Sequence, residues 1–259
     1  MSNLKEMRLL ALCLLVPACS LLTQNSSATA ADTATLKLTF RLKRAAPDPK
    51  PLAVSGPVCG NLQVPDETLV VNPDNHGVQN IFVYVYTSRR GGTKLEPVEM
   101  EKQTIVLDNK NCRFEPHAMV ARKGDTLQVK NSDPVGHNVK LDFFKNQQLN
   151  LLVPPGQSVD INLTAGEQAP VPASCSIHPW MVTQVLVLDH PFGAVSDKDG
   201  VVTIEGLPAG KEIVFRAGHE KFDFSDITVE GKQTAWKSNR FEMTLQPGEN
   251  DMGVVELPW

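Results

Sequence analysis

The segment GDTLQVKNSDPVGHNVKLDFF, residues 124–144, contains two β-rich stretches separated by a turn. The stretches DTLQVKN and HNVKLDFF each predict a β-strand, because they alternate apolar and polar residues and carry residues that favour strands. The residues between them include Ser, Asp, Pro and Gly, which are typical of turns. The segment therefore predicts two strands, with His137 at the start of the second.

Similar short β-rich runs lie before and after this segment, separated by Gly, Pro, Asn and Asp. Hardly any stretch has a sustained helical period. The number and spacing of the runs predict a β-sandwich within residues 31–190, and hence an all-β fold. The other candidate strands here are TLKLTFRL from Thr35, NIFVYVYT from Asn80, QTIVLD from Gln103, SVDINLT from Ser158 and TQVLVLDH from Thr183.

A second series of candidate strands follows His190. The close spacing of these candidate strands predicts a second, smaller sandwich over residues 191–259, with the boundary near the segment LDHPFGAVSD. The candidate strands are GVVTIEGL, KEIVFRAGHE, SDITVEG, RFEMTLQPGEN and DMGVVEL.

The first thirty residues have the pattern of a secretory signal peptide. Lys5 and Arg8 precede the apolar run LLALCLLVPACSLL, and small residues follow it up to Ala30. This order of charge, apolar core and A-x-A site predicts a signal peptide at 1–30 and export to the periplasm or cell envelope. An alternative interpretation places a lipid anchor on Cys19, in the sequence VPAC. No other apolar run is long enough for a transmembrane segment.

Charge and cysteine content narrow the function further. The formal net charge of −4 argues against nucleic acid as a partner. Outside the predicted signal peptide three cysteines remain, Cys59, Cys112 and Cys175, and any pairing leaves one free thiol. If Cys59 and Cys112 form the disulfide, Cys175 is the thiol left for chemistry.

The segment CSIHPWM, residues 175–181, carries a thiol, an imidazole and a thioether. A loop between two strands can bring Cys175, His178 and Met181 to one point, and Pro179 restricts the backbone between the ligands. His137 supplies a fourth donor. Two imidazoles, a thiolate and a weak axial thioether form the donor set of a blue copper site.

The same residues could also serve packing or bind another metal. A single His or Met is usually a packing or surface residue, but the combination at this spacing in an exported β-protein favours a metal. Zinc fits less well, because structural zinc sites use Cys and His and rarely Met. We interpret His117 as structural and His76 as a turn residue. We do not expect a second metal site between His190 and His219, because the sequence offers no third ligand of suitable spacing.

The segments at 124–144 and 175–181 resemble the cupredoxin family, which includes plastocyanin, pseudoazurin and amicyanin. The resemblance implies a Greek-key β-sandwich and one mononuclear type 1 copper, with His137, Cys175 and His178 as equatorial ligands and Met181 as axial ligand. It also implies that Asn138 joins the two ligand segments. Pro179 and Trp180 would contribute to an apolar surface for electron transfer.

The segment SDKDGVVTIEGLPAGKEIVFRAGHE is similar to carboxypeptidase regulatory-like and transthyretin-like β-sandwich modules. The whole chain resembles bacterial secreted proteins that join a plastocyanin-like domain to such a module. The long extension ahead of the copper motifs, which includes GPVCGNLQVPDETLVVN, departs from small cupredoxins.

These observations predict an exported one-electron carrier that exchanges electrons with a cytochrome or a dehydrogenase. The alternative is a copper carrier, or a binding or scaffold module without a redox role. We do not expect an enzyme, because the sequence contains no H-x-H pair, no G-x-S-x-G and no H-E-x-x-H.

Overall fold

A computed structural model of the chain describes residues 33–46 and 49–258. The predicted signal peptide at 1–30 and the alternative lipid site at Cys19 lie outside these residues. Within the described ranges, no helix combines the length and apolarity needed to cross a membrane.

The described residues form eighteen strands and two single-turn 3-10 helices, Cys59–Asn61 and Lys237–Asn239, which confirms the predicted all-β fold. The strands are β1 Thr33–Leu42, β2 Phe82–Val85, β3 Thr104–Lys110, β4 Arg113–Glu115, β5 Ala118–Arg122, β6 Thr126–Asn131, β7 His137–Leu141, β8 Leu149–Val153, β9 Ser158–Asn162, β10 Val171–Ser174, β11 Val182–Leu188, β12 Gly193–Val195, β13 Val201–Pro208, β14 Glu212–Gly218, β15 Ile227–Val229, β16 Lys232–Thr234, β17 Arg240–Thr244 and β18 Gly248–Leu257.

The first sandwich consists of strands β3 to β11. One sheet has the order β4-β3-β6-β9 and the other has the order β5-β11-β10-β7-β8. Alternate side chains of both sheets, such as Leu127 and Val139, fill a shared core. Cys175 and Met181 belong to the same core, so the predicted ligand loop lies at one end of it.

The second sandwich consists of the sheets β13-β1-β18-β15-β16 and β12-β2-β14-β17. Its core joins aliphatic residues to aromatic ones, among them Phe40, Phe224 and Trp236. The C-terminal strands therefore form a sandwich, as the density of strand signals predicted, but they do not form it alone.

The strand that begins at Thr33 differs from its expected position. It was expected in the first sandwich, yet β1 pairs in parallel with β18 and antiparallel with β13. Its inward face, including Leu36 and Leu38, is fully buried in the second core. Strand β2 also lies in the second sandwich, between β12 and β14. The sheets of the first sandwich are thus inserted between β2 and β12, and the boundary at residue 190 does not separate the two cores.

Strands β2 and β11 join the two sandwiches. In β2, Val83 and Val85 face the second core, whereas Phe82 and Tyr84 face the first sandwich. In β11, Leu186 faces Phe82 and Tyr84 across the junction. Both strands are buried on two faces, and this explains their continuous apolar runs FVYV and VLVL.

The extension between β1 and β2 packs against the first sandwich. A disulfide joins Cys59 to Cys112, in the turn between β3 and β4, and so confirms the predicted pairing. Around the disulfide lies a small apolar cluster that includes Val64, Leu62 and Trp180. The extension is therefore fixed beside the ligand loop.

Candidate metal centre

Three of the predicted ligands converge at one end of the first sandwich. His137 is the first residue of β7, and Cys175 and His178 lie in the loop between β10 and β11. Their ligand atoms all lie within 4.8 Å of one another, a spacing that could hold a metal ion. The Cys175 Sγ lies 4.0 Å from His137 Nδ1 and 3.8 Å from His178 Nδ1.

These separations fit a first-row transition metal. With bond lengths of about 2.3 Å to sulfur and about 2.0 Å to nitrogen, a trigonal arrangement requires about 3.7 Å between sulfur and nitrogen, and a tetrahedral one about 3.5 Å. The observed values are closer to the trigonal arrangement. The residues present therefore fit a transition metal, with the thiol and the imidazoles closing by a few tenths of an ångström when it binds.

A buried carboxylate orients His137. The Nε2 atom of His137 lies 2.9 Å from Asp133 Oδ2, and both residues are buried. Because a carboxylate only accepts hydrogen bonds, the imidazole donates from Nε2 and keeps the Nδ1 lone pair directed at Cys175. Burial lowers the pKa of His137, although the bond to Asp133 opposes this effect. The neutral ring is the form that binds metals.

Asn138 connects the two ligand segments. Its backbone N–H donates to Cys175 Sγ at 3.4 Å, and its Oδ1 accepts a hydrogen bond from the Cys175 thiol at 3.3 Å. The same oxygen accepts a hydrogen bond from the backbone N–H of Ile177. The Nδ2 atom of Asn138 donates to Ser176 Oγ. One side-chain amide therefore holds β7 against the loop that carries Cys175 and His178.

The ligand loop is closed by two backbone hydrogen bonds. The Cys175 N–H donates to the Met181 carbonyl at 3.1 Å, and the Met181 N–H donates to the His178 carbonyl at 2.9 Å. Met181 is 1% exposed and lies in the core of the first sandwich, together with Cys175. Its assignment as axial ligand stays a prediction.

The surface above the ligands differs from the one expected. Pro179 is exposed, but Trp180 is only half-exposed. Trp180 packs against the extension, and its Nε1 donates to the Cys112 carbonyl, in the turn between β3 and β4, at 3.0 Å. Two large apolar side chains that were not expected are also exposed, Ile177 of the ligand loop, at 52%, and Leu152, at 61%. Leu152 lies on β8, opposite Asn138 of β7. Sequence reasoning missed this strand and its exposed leucine.

Among the ligands, His178 is the most accessible. His137 and Cys175 are buried, whereas the His178 ring is half-buried and contacts the Trp180 ring at 5.1 Å between centroids. Partial burial still lowers the pKa of His178. One of the predicted ligands therefore reaches the surface.

The other histidines do not form a second centre. His117 joins the two sandwiches through its Nε2, 2.5 Å from Glu220 Oε1. The Nε2 of His190 bonds to the Val85 carbonyl, and His219 accepts a hydrogen bond from the Lys221 N–H. Within residues 33–46 and 49–258, no second group of three such ligands lies within 4.8 Å.

Comparison with known proteins gives matches to solved structures alone. No protein-family model matches the chain, and no curated protein matches it. A Cu(I) amicyanin variant is 22% identical and covers 32% of this chain and 81% of its own, with a TM-score of 0.29. The reduced Cu(I) form of another amicyanin variant, at pH 4, is 24% identical with the same coverages and TM-score. A copper-containing nitrite reductase from Thermus scotoductus SA-01 is 19% identical and covers 40% of this chain and 25% of its own, with a TM-score of 0.31.

Proposed function

We propose that this chain is an exported copper protein that carries single electrons in the cell envelope. One observation supports the proposal above all others: two imidazole Nδ1 atoms converge on one buried free thiol, at 3.8 and 4.0 Å. When bound, copper supplies a one-electron couple, because sulfur donors favour Cu(I) and imidazoles accept Cu(II). His137, Cys175 and His178 would hold it, and Met181 is the proposed axial ligand.

The protein around the ligands supports a role in which geometry changes little between redox states. The hydrogen bonds of Asp133 and Asn138 and the two backbone bonds of the loop fix the ligands before any metal binds. Buried side chains also exclude water from His137 and Cys175. A fixed, dry donor set favours fast electron exchange because few groups must move.

The exposed surface near His178 provides a docking position for a redox partner. Ile177 and Pro179 flank His178 in the loop and are exposed, and Leu152 is exposed on β8, opposite Asn138. Small apolar surfaces of this kind suit short-lived protein contacts. We propose that electrons enter and leave through the His178 edge, to and from a cytochrome or dehydrogenase.

The disulfide supports a carrier outside the cytoplasm. The Cys59–Cys112 disulfide is the kind of bond that persists in oxidising compartments, in agreement with the predicted signal peptide.

We propose a carrier rather than an enzyme, because His117 and His190 are engaged in contacts that join elements of the fold. Catalytic copper centres need additional open ligand positions.

The test is a Cu(II) titration of the mature protein, followed by visible absorption and electron paramagnetic resonance. We expect one bound copper per chain, an intense sulfur-to-copper band, and bleaching by ascorbate that an oxidant reverses. A pale spectrum or the absence of binding would contradict the proposal. Loss of the metal on reduction, measured by gel filtration and metal analysis, would instead indicate a copper carrier.

A further inference from the structure

The turn between β3 and β4 contacts the two ligand segments from outside the donor set. Its residues Asn111 and Cys112 both have positive φ, about 56°. Their N–H groups donate to the Asp133 carboxylate at 2.7 and 2.8 Å, and the same carboxylate accepts from His137 Nε2. The turn is therefore bonded to the first imidazole through one buried side chain.

The same turn is bonded to the second imidazole by a different route. The carbonyl of Cys112 accepts a hydrogen bond from Trp180 Nε1 at 3.0 Å. The Trp180 ring contacts the His178 ring, with 5.1 Å between centroids. The N–H of Cys112 thus donates to Asp133 in one ligand segment, and its carbonyl accepts from Trp180 in the other.

The extension holds this turn in place. The disulfide fixes Cys112 to Cys59, and both cysteines are buried. Val64, Leu52 and Trp180 pack around the disulfide. The sheets alone fix the two imidazoles only partly, because His137 begins a strand and His178 lies in a loop with exposed neighbours.

We propose that the disulfide-linked extension is a positioning element for the metal centre, with Cys112, Asp133 and Trp180 as positioning residues. The inference rests on the proposed function for the identity of the metal, but not for the arrangement of the imidazoles. Residues that orient metal ligands affect metal affinity by about 10- to 100-fold when they are changed. The extension would therefore determine how tightly copper is held.

The first test removes only the indole hydrogen bond. In Trp180→Phe the apolar ring stays, but the donor to the Cys112 carbonyl is lost. We expect the copper dissociation constant to rise about 10-fold, the lower end of the effect of residues that orient metal ligands. Trp236→Phe is the matched control, because Trp236 lies in the second core, and its dissociation constant should stay within twofold of the wild type.

The second test removes the disulfide. We expect the double variant Cys59→Ala, Cys112→Ala to bind copper at least 10-fold more weakly. In the metal-free protein, the ¹⁵N resonances of the His137 and His178 rings should shift in this variant and in Trp180→Phe, but not in Trp236→Phe. If the double variant does not fold, Trp180→Phe decides the question alone.

The outcomes separate the two proposals. Unchanged affinity and unchanged imidazole resonances in Trp180→Phe would overturn the positioning role. If the wild-type protein itself fails to bind copper, the proposed function is wrong, and the imidazole resonances of the metal-free protein still decide whether the extension positions the rings.

Discussion

Replacement of Asp133 by alanine tests how strongly the surroundings of the site support the fold. Asp133 is 6% exposed. Its carboxylate accepts hydrogen bonds from the N–H groups of Asn111 and Cys112 and from His137 Nε2. A net contribution of about 1 kcal/mol for each bond predicts that Asp133→Ala lowers the free energy of unfolding by about 3 kcal/mol. Two backbone N–H groups and one imidazole N–H would be left without their acceptor.

Urea denaturation of the metal-free protein measures this loss. Asp142→Ala is the matched control, because Asp142 is exposed and forms a surface ion pair with Lys140; its effect should stay within about 0.5 kcal/mol. Asp133→Asn should lose less than the alanine variant, since the remaining amide oxygen still accepts. A loss below about 1 kcal/mol for Asp133→Ala would refute the reasoning.

Three further predictions concern the ligands and the junction. Cys175→Ser should abolish the strong visible absorption with copper while leaving the circular dichroism unchanged, because a hydroxyl can replace the thiol beside Asn138; a retained blue band would exclude Cys175 as a ligand. Met181→Gln should keep copper bound but lower the reduction potential, measured by voltammetry, since the axial donor tunes the couple; an unchanged potential would exclude an axial role. Burial lowers the pKa of His219 to about 4, so the unfolded chain binds more protons than the folded one and stability should fall as the pH drops from about 6.5 to 4. His219→Gln should reduce this pH dependence of the urea midpoint, and an unchanged slope would contradict the assignment, with His76→Asn as control.

The sequence predicted the strands of the first sandwich best where one face is buried and the other is exposed. The run that begins at Thr126 is such a strand, and its alternation reflects a one-sided core. The run that begins at His137 is also a strand, although only Lys140 in it is not buried. Strand β8, Leu149–Val153, was missed. It lies at the edge of the sheet, and its adjacent residues Leu151 and Leu152 are both exposed, so its sequence does not alternate between apolar and polar residues.

The partner of β1 could not be predicted. The alternation in TLKLTFRL indicates that one face is buried, but not which sheet covers it. The two-sided burial of β2 and β11 did have a signal, in the unbroken apolar runs FVYV and VLVL, which indicate strands covered on both faces.

At the site, the chemistry of the donor residues was visible in the sequence, whereas their supports were not. His137, Cys175 and His178 are identifiable by residue type and spacing. Asp133 lies four residues before His137, but its role depends on the backbone of the turn at Cys112, which is distant in sequence. Likewise, nothing near Trp180 in the sequence reveals that the extension covers it.

The pairing of the first and last strands has a consequence for biogenesis. Ala34 of β1 lies opposite Gly248 of β18, so nearly the whole chain separates the two partners. During synthesis, β1 emerges early and cannot complete its sheet until the final strand arrives. The inserted sandwich, whose strands lie within 104–188, can close before that moment. Until β18 is made, the edge of β1 that β18 will cover is open to pairing with other extended segments.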